Sequence, residues 1–412
     1  MAHHFLEKRD IVLFALKSWD MEIGGSSKNY ASVFAKNNNR VLFVNRALDR
    51  FSVLRNRRDP KVKNLLYARK NKSRRVEQVE NNIWVLNPVS ILESINSISW
   101  PWAFDAMNRL NGRRLANEIN KAAAELGFKN IILYVENDFL RGIYLDQYIR
   151  DVDYCIFYIR DFLTSQDYFK KHGSRLEPRM IAKADIVITN SNWLANYARP
   201  FNQNSYFVGQ GVDLKTFKDQ DYPMPADMED IQGPIIGYVG AILATRLDPG
   251  IIRDIAERRP EWNIVLVGPE DKYFEGDGLH QMKNVYFLGR KDLLQLPAYI
   301  KHFDVCINPQ LVNEMTIGNY PLKADEYLAL GKPMVATRTE AMKMFEDYVY
   351  LCDRPLEYVG AIEKALAEAE NGDMILKRKA FARSHTWESC VENLDRELHK
   401  IARGHDHKKT KS

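Results

Sequence analysis

A chain of 412 residues, 45% hydrophobic and 27% charged, is long enough for two or three domains and too apolar for wholesale disorder or a collagen-like repeat. The net charge of +5, from 59 basic and 54 acidic side chains, does not by itself imply a nucleic-acid partner; where the surplus sits matters more than its size. No apolar run reaches the roughly 18 to 20 residues that cross a bilayer, and the start has no basic stretch followed by an apolar core, so neither a multi-pass membrane protein nor a signal peptide is expected.

Short β-rich apolar runs alternate with longer helical patterns. DIVLFAL opens at Asp10, the glycine-containing turn MEIGGSS follows, a helical stretch covers Lys28 to Ala35, and VLFVN starts at Val41. This strand, loop, helix, strand unit favours parallel pairing. Further strands are expected at Ile83 (IWVLN), Asn130 (NIILYV), Tyr154 (YCIFYI), Asp185 (DIVITN) and Ser205 (SYFVGQG). Phe217 to Gly233, rich in acid and proline and without periodicity, reads as a linker. A second α/β series follows, with strands at Pro234, Asn263, Val285, Val305, Pro333 and Tyr348. Pro355 to Arg403 reads as helical and charged, and the tail beyond it as disordered. Two doubly wound halves result, and ligands of such halves bind beyond the carboxyl ends of the strands. The four cysteines, Cys155, Cys306, Cys352 and Cys390, lack metal-ligand spacing. They read as buried small hydrophobes in a reducing compartment.

Three segments carry chemistry. In NEMTIGNYPLKADEYLALGKPMVAT, from Asn313 to Thr337, a helix begins after Pro321 and stops at Gly331. Its unpaired N–H groups and Lys323 suit a diphosphate. Glu326, three residues on and on the same face, suits the two hydroxyls of a ribose. A solvated Lys–Glu pair is the plain alternative. In GYVGAILATRLDPG, from Gly237 to Gly250, a strand ends at Gly240, where a ligand can approach the backbone. The following loop offers Arg246 for a forked contact to phosphate, or for a local pair with Asp248, and Asp248–Pro249 starts a helix. In SWDMEIGGSS, from Ser18 to Ser27, Gly24 and Gly25 can turn their N–H groups to an anion, or form a plain turn. Neither G-x-G-x-x-G nor a P-loop is present, which disfavours a dehydrogenase.

With GQGVDLKTF (Gly209 to Phe217), ADIVITNSNWLANYAR (Ala184 to Arg199) and Trp19–Asp20, these segments resemble the retaining GT-B glycosyltransferases termed glycosyl transferases group 1. The likeness looks closest to the bacterial branch with teichuronic-acid and exopolysaccharide transferases. It implies an α/β fold of two Rossmann-like doubly wound domains facing a central cleft. The expected division is 1–216 for the acceptor, a linker 217–233, 234–390 for the nucleotide sugar, and 391–412 as helix and disordered tail. It implies a nucleotide-diphosphate sugar donor, no metal and no further cofactor. Donor binding would fall to Gly24, Gly25, Gly240, Arg246, Thr316, Lys323 and Glu326, and catalysis to Asp20, Arg246 and Lys323. Many members carry a second glutamate eight positions before the ribose-binding one; here Gly318 stands there, with Glu314, Thr316 or Asn319 as substitutes on the same loop.

Asp20, Arg160 and Asp161 are candidates for the acceptor side, with a salt-bridged turn as the alternative for Arg160–Asp161. Basic clusters gather in the first half: Arg50 to Pro60, Tyr67 to Gln78, and Ile98 to Arg114, where Trp100, Trp102 and Phe104 precede Arg109, Arg113 and Arg114. That mixture suits an anionic membrane surface and a glycan or polyprenyl-diphosphate-linked acceptor; the alternative places the aromatics in the core. The expected location is cytoplasmic, with peripheral attachment to the inner membrane face. No nucleic-acid-binding motif appears. Two rival readings are a non-hydrolysing sugar-nucleotide epimerase and a non-catalytic GT-B partner subunit.

Overall fold

The computed structural model describes residues 4–20, 25–55, 62–63, 67, 75–212 and 215–409. The chain forms two units, 1–209 with 390–412, and 210–389. The crossings therefore lie at 209/210 and 389/390, whereas the sequence suggested 217–233 as a linker. Phe217, Met228 and Ile231 are buried in the core of the second unit, which explains why that irregular stretch stays with it.

The first unit is built on β1 (Asp10–Ala15), β2 (Arg40–Val44), β3 (Val76–Glu80), β4 (Ile83–Leu86), β5 (Ile131–Glu136), β6 (Val152–Ile159), β7 (Ile186–Thr189) and β8 (Ser205–Phe207). The spatial order is β3-β4-β2-β1-β5-β6-β7-β8, and only the edge strand β3 runs antiparallel, against β4. Every residue of β1 is buried, which fits an unbroken apolar run at the centre of a parallel sheet covered on both faces. Its start is pinned by Asp10, whose carboxylate accepts from Arg40 Nε at 2.7 Å on the neighbouring strand. One strand escaped the sequence reading: β3 is charged and mostly exposed, so it lacks an apolar signature. The helix Pro101–Leu126, stopped by Gly127 in a left-handed conformation (φ 66°), takes up the basic and aromatic stretch as the alternative reading of a helix had it.

The second unit holds β9 (Ile235–Val239), β10 (Asn263–Val267), β11 (Val285–Phe287), β12 (Val305–Asn308), β13 (Met334–Thr337) and β14 (Tyr350–Cys352). All pair in parallel, in the order β11-β10-β9-β12-β13-β14. Each sheet reverses its direction of winding beside its first strand: between β1 and β5, and between β9 and β12. Loops leave the carboxyl ends of those strands to opposite faces, and the gap so formed is where doubly wound sheets bind ligands.

The last helix, Trp387–Lys409, runs beyond Arg403, where disorder was expected; once nucleated, a helix extends at one hydrogen bond per residue. All four cysteines are buried and none is in a disulfide among the described residues, and burial pushes Cys155 and Cys352 up to about 12.

Candidate active site

In the second unit the reversal lies between β9 and β12. β9 is followed by Gly240 with φ 147°, a conformation that side chains rarely adopt. Crowding gives a second reason for glycine there. A Cβ at Gly240 would lie 2.8 Å from the Tyr238 hydroxyl and 3.4 Å from Lys323 Cε, and a Cβ at Gly268 would lie 1.8 Å from the Gly240 carbonyl oxygen. Lys323 therefore packs directly over the end of β9, with its Nζ 5.0 Å from the centre of the Tyr238 ring.

The helix Leu322–Ala329 delivers that lysine. It is fixed to β9 by Tyr327, whose phenol oxygen accepts from Val239 N at 2.8 Å. It is fixed from below by Asp325, which is fully buried and accepts from Tyr320 Oη at 2.7 Å while bonding His385 Nδ1 at 2.7 Å. Burial raises the Asp325 pKa, opposed by His385 and by the Tyr320 hydroxyl. Glu326, one turn beyond Lys323, is half-buried.

The loops after β9 and β12 are joined to each other. Leu247 bridges Gln310, Asp248 N donates to the Pro309 carbonyl at 2.9 Å, Leu311 N donates to the Arg246 carbonyl at 2.8 Å, and Asn313 Nδ2 donates to the Thr245 carbonyl at 3.0 Å. Asp248 is occupied in capping the helix Pro249–Arg258, accepting from Gly250 N at 2.8 Å. Arg246 is exposed and forms no ion pair among the described residues, so the local pairing with Asp248 does not occur. Lys323 likewise forms none. Thr316 is buried, and its hydroxyl accepts from Asn313 N at 3.0 Å and donates to the Leu311 carbonyl. It shapes the loop and does not present its hydroxyl to solvent. Glu314 is exposed, Asn319 is half-buried, and Gly318 is buried.

The first unit places a different chemistry at its reversal. Glu136 ends β5 with 3% exposure, and Arg160, just past β6, donates to it at 3.0 Å and to Asp161 at 2.9 Å. The sequence reading missed Glu136, because its pairing with Arg160 exists only once β5 lies beside β6. Burial raises the Glu136 pKa, against the pull of Arg160. Arg160 is itself raised: burial acts against its charge, but Glu136 and Asp161 outweigh it. The salt-bridged alternative for Arg160–Asp161 is thus the one observed, enlarged by a third member. Gly25 precedes the helix Ser26–Lys36 at φ −97°, and a Cβ there would make only ordinary contacts with Ser27 and Lys17, so glycine is not sterically required. Asp20 is exposed, beyond the end of β1. Gly24 and, of the basic stretches, residues 56–60 and 68–74 lie outside the described residues.

A family model described as "Glycosyl transferases group 1" matches residues 233–368. TuaH of Bacillus subtilis (strain 168), named for a glycosyltransferase step of teichuronic acid biosynthesis, is 30% identical over 240 residues, covering 55% of this chain and 59% of TuaH. The match thus spans about three fifths of that relative's length. Among solved structures, a sucrose-phosphate synthase from Thermosynechococcus elongatus superposes with TM-score 0.64 at 16% identity, over 96% of this chain and 100% of its own. An α,α-trehalose-6-phosphate synthase from Burkholderia multivorans gives 0.68 at 12%, over 98% of each chain. HepE of Anabaena, solved with UDP-glucose, gives 0.59 at 17%, over 95% of this chain and 99% of its own. At these identities the structural likeness establishes the fold, two Rossmann-like units as in GT-B proteins.

Proposed function

Residues 233–368 match the model of the glycosyl transferases group 1 family, and from that match we propose that the chain is a member that transfers a sugar from a nucleotide-diphosphate donor. The acceptor in this reading is a glycan or a polyprenyl-diphosphate-linked sugar of cell-surface polysaccharide synthesis, and the anomeric configuration is retained. One observation carries it. Two cations without ion-pair partners among the described residues, Lys323 and Arg246, occupy the reversal point of the second sheet beside a strand end held bare by Gly240 and Gly268. Unneutralised positive charge beside a strand end and the start of a helix favours a diphosphate.

In this reading Glu326 accepts hydrogen bonds from the ribose hydroxyls, while Lys323 and Arg246 stabilise the charge that develops on the departing diphosphate. The bond from the anomeric carbon to the phosphate oxygen breaks, and a bond to the acceptor oxygen forms on the same face. The proton of the acceptor hydroxyl passes to the departing phosphate oxygen, so no side-chain base is required. The fixed helix matters because a preorganised cation stabilises a transition state without reorganising. Gly24 and Gly25 belong to the donor in this assignment, and Asp20 to the acceptor side. No metal or further cofactor enters the reaction.

A thermal-shift screen against nucleotide sugars, UDP-glucose among them, tests the reading, since a ligand of the folded state raises the melting temperature. A rise that disappears in Glu326→Ala is expected; no rise with any nucleotide sugar would overturn the donor assignment. Gly318, standing where many relatives carry a carboxylate, favours one alternative, a non-catalytic partner subunit. Donor binding without turnover on any acceptor would select it.

A further inference from the structure

We propose that the first unit docks on an anionic lipid bilayer through the start of the helix Pro101–Leu126 and the adjoining start of the helix Asp167–Lys183, with Trp100, Trp102 and Tyr168 as the inserting side chains. This deepens the reading of a lipid-linked acceptor, but binding to vesicles does not depend on it.

Trp100, Trp102 and Tyr168 are 69%, 75% and 57% exposed. Phe104, two residues further, is fully buried and stacks on His172 at 3.9 Å. The helix thus already has its aromatic anchor in the core, and the two tryptophans before it are left in water. Large apolar side chains grouped on a surface mark contact with something outside the molecule.

The platform that carries them is tied together. Asn96 Nδ2 donates to the Tyr168 carbonyl at 3.2 Å, Lys171 Nζ donates to the Asn96 and Ser97 carbonyls at 3.0 and 3.2 Å, and Arg175 holds Asp105 in a two-pronged contact at 2.8 and 2.9 Å. Its charge complements an anionic surface. The Asp105 carboxylate is neutralised by Arg175, with Arg179 3.5 Å away. Lys170 and Lys171 are exposed beside Tyr168, and Arg109 and Arg179 are exposed two and three turns further along the two helices, Arg109 over the Tyr144 ring at 5.3 Å. Asp167 is the acidic side chain beside Tyr168. Tryptophan and tyrosine settle at the depth of lipid headgroups, and lysine and arginine are drawn to anionic ones. A groove for an apolar protein segment would not need these cations, so we commit to the bilayer.

The test is flotation of the full chain with phosphatidylglycerol–phosphatidylcholine vesicles and with phosphatidylcholine alone. The chain is expected to float with the anionic vesicles and not with the neutral ones. Trp100→Ala/Trp102→Ala should lower that binding by about tenfold or more. Its melting temperature should not change, because the removed rings are already in water. Lys170→Glu should weaken binding at low salt, and its difference from the wild type should shrink as salt is raised. Failure of the wild type to float with anionic vesicles, or equal flotation of the tryptophan variant, would overturn the proposal. The donor thermal shift is read on the other unit: vesicle binding without a nucleotide-sugar shift would sink the transfer reading and leave this surface standing, and the reverse result would do the opposite.

Discussion

The two units share a winding pattern and differ in what they do with charge at the point where the winding reverses. In the second unit Lys323 and Arg246 stand without ion-pair partners among the described residues, one against an aromatic ring and one on an exposed loop. In the first unit Arg160, just past β6 and one strand beyond the reversal, is enclosed by Glu136 at the end of β5 and by Asp161. A cation already paired with two carboxylates has little to offer a phosphate, whereas an open one does. The same backbone topology thus carries open cations in one unit and an enclosed one in the other, and the side chains beyond the strand ends make the difference.

The largest effect is expected where the first unit's network is broken. Arg160→Ala leaves Glu136 buried without its cation, and stability should fall by about 3–5 kcal/mol in denaturant unfolding. Glu136→Gln added to that variant should recover part of the loss. An Arg160→Ala protein as stable as the wild type would show that this cation is as open as those of the second unit. In the second unit the expectation is reversed. Lys323→Ala and Arg246→Ala should each leave the melting temperature nearly unchanged while lowering kcat by about 100- to 1000-fold. Unchanged turnover in both would remove the leaving-group mechanism.

Glu177 sharpens the contrast within the first unit. It is buried and has only neutral partners, Thr164 Oγ1 at 3.1 Å and Tyr197 Oη at 3.0 Å. Burial pushes its carboxyl up to about 7, the two hydroxyls opposing. Between its ordinary value and about 7 the folded state keeps a proton that the unfolded chain has released. This contribution is therefore fully present below the ordinary carboxyl value and is lost as pH rises through about 7, by about 3 kcal/mol in all. Glu177→Gln should flatten the fall in melting temperature between about pH 5 and pH 8. A wild-type protein as stable at the upper pH as at the lower would contradict it. The smallest effect is expected for Tyr320→Phe, which removes one donor to the buried Asp325 at a cost of about 1–2 kcal/mol. It should raise the KM for the donor more than it lowers kcat, and an unaltered KM would separate this network from the site above it.

Much of the fold was legible because parallel strands buried on both faces announce themselves as apolar runs; thirteen of the strands, all but β3, fall on the runs read from the sequence. The helix Pro249–Arg258 was legible from Asp248–Pro249, and the stop at Gly331 from its residue type, which adopts φ 78°. Strand β3 was not, since an exposed edge strand buries no apolar face. In the candidate site, the places of Lys323, Arg246 and Gly240 after strands and at a helix start were legible from the sequence. Tyr238, Gly268 and Glu136 were not, because each matters through a neighbour distant in sequence.

The sequence by itself determined the alternation of strands and helices, the two successive α/β series and the residues at the strand ends, all of which follow from local periodicity and turn chemistry. Only the tertiary structure decided which charges stay open. Arg160 and Arg246 look alike in a sequence, each an arginine just beyond a strand and near an aspartate. Asp161 and Glu136 close around the first, while Asp248 turns away from the second to cap a helix. It also decided the fate of the aromatics before Arg109: Phe104 went into the core, and Trp100 and Trp102 stayed outside. A helix has two faces, and which of them meets the core is set by what packs against it, not by its own composition.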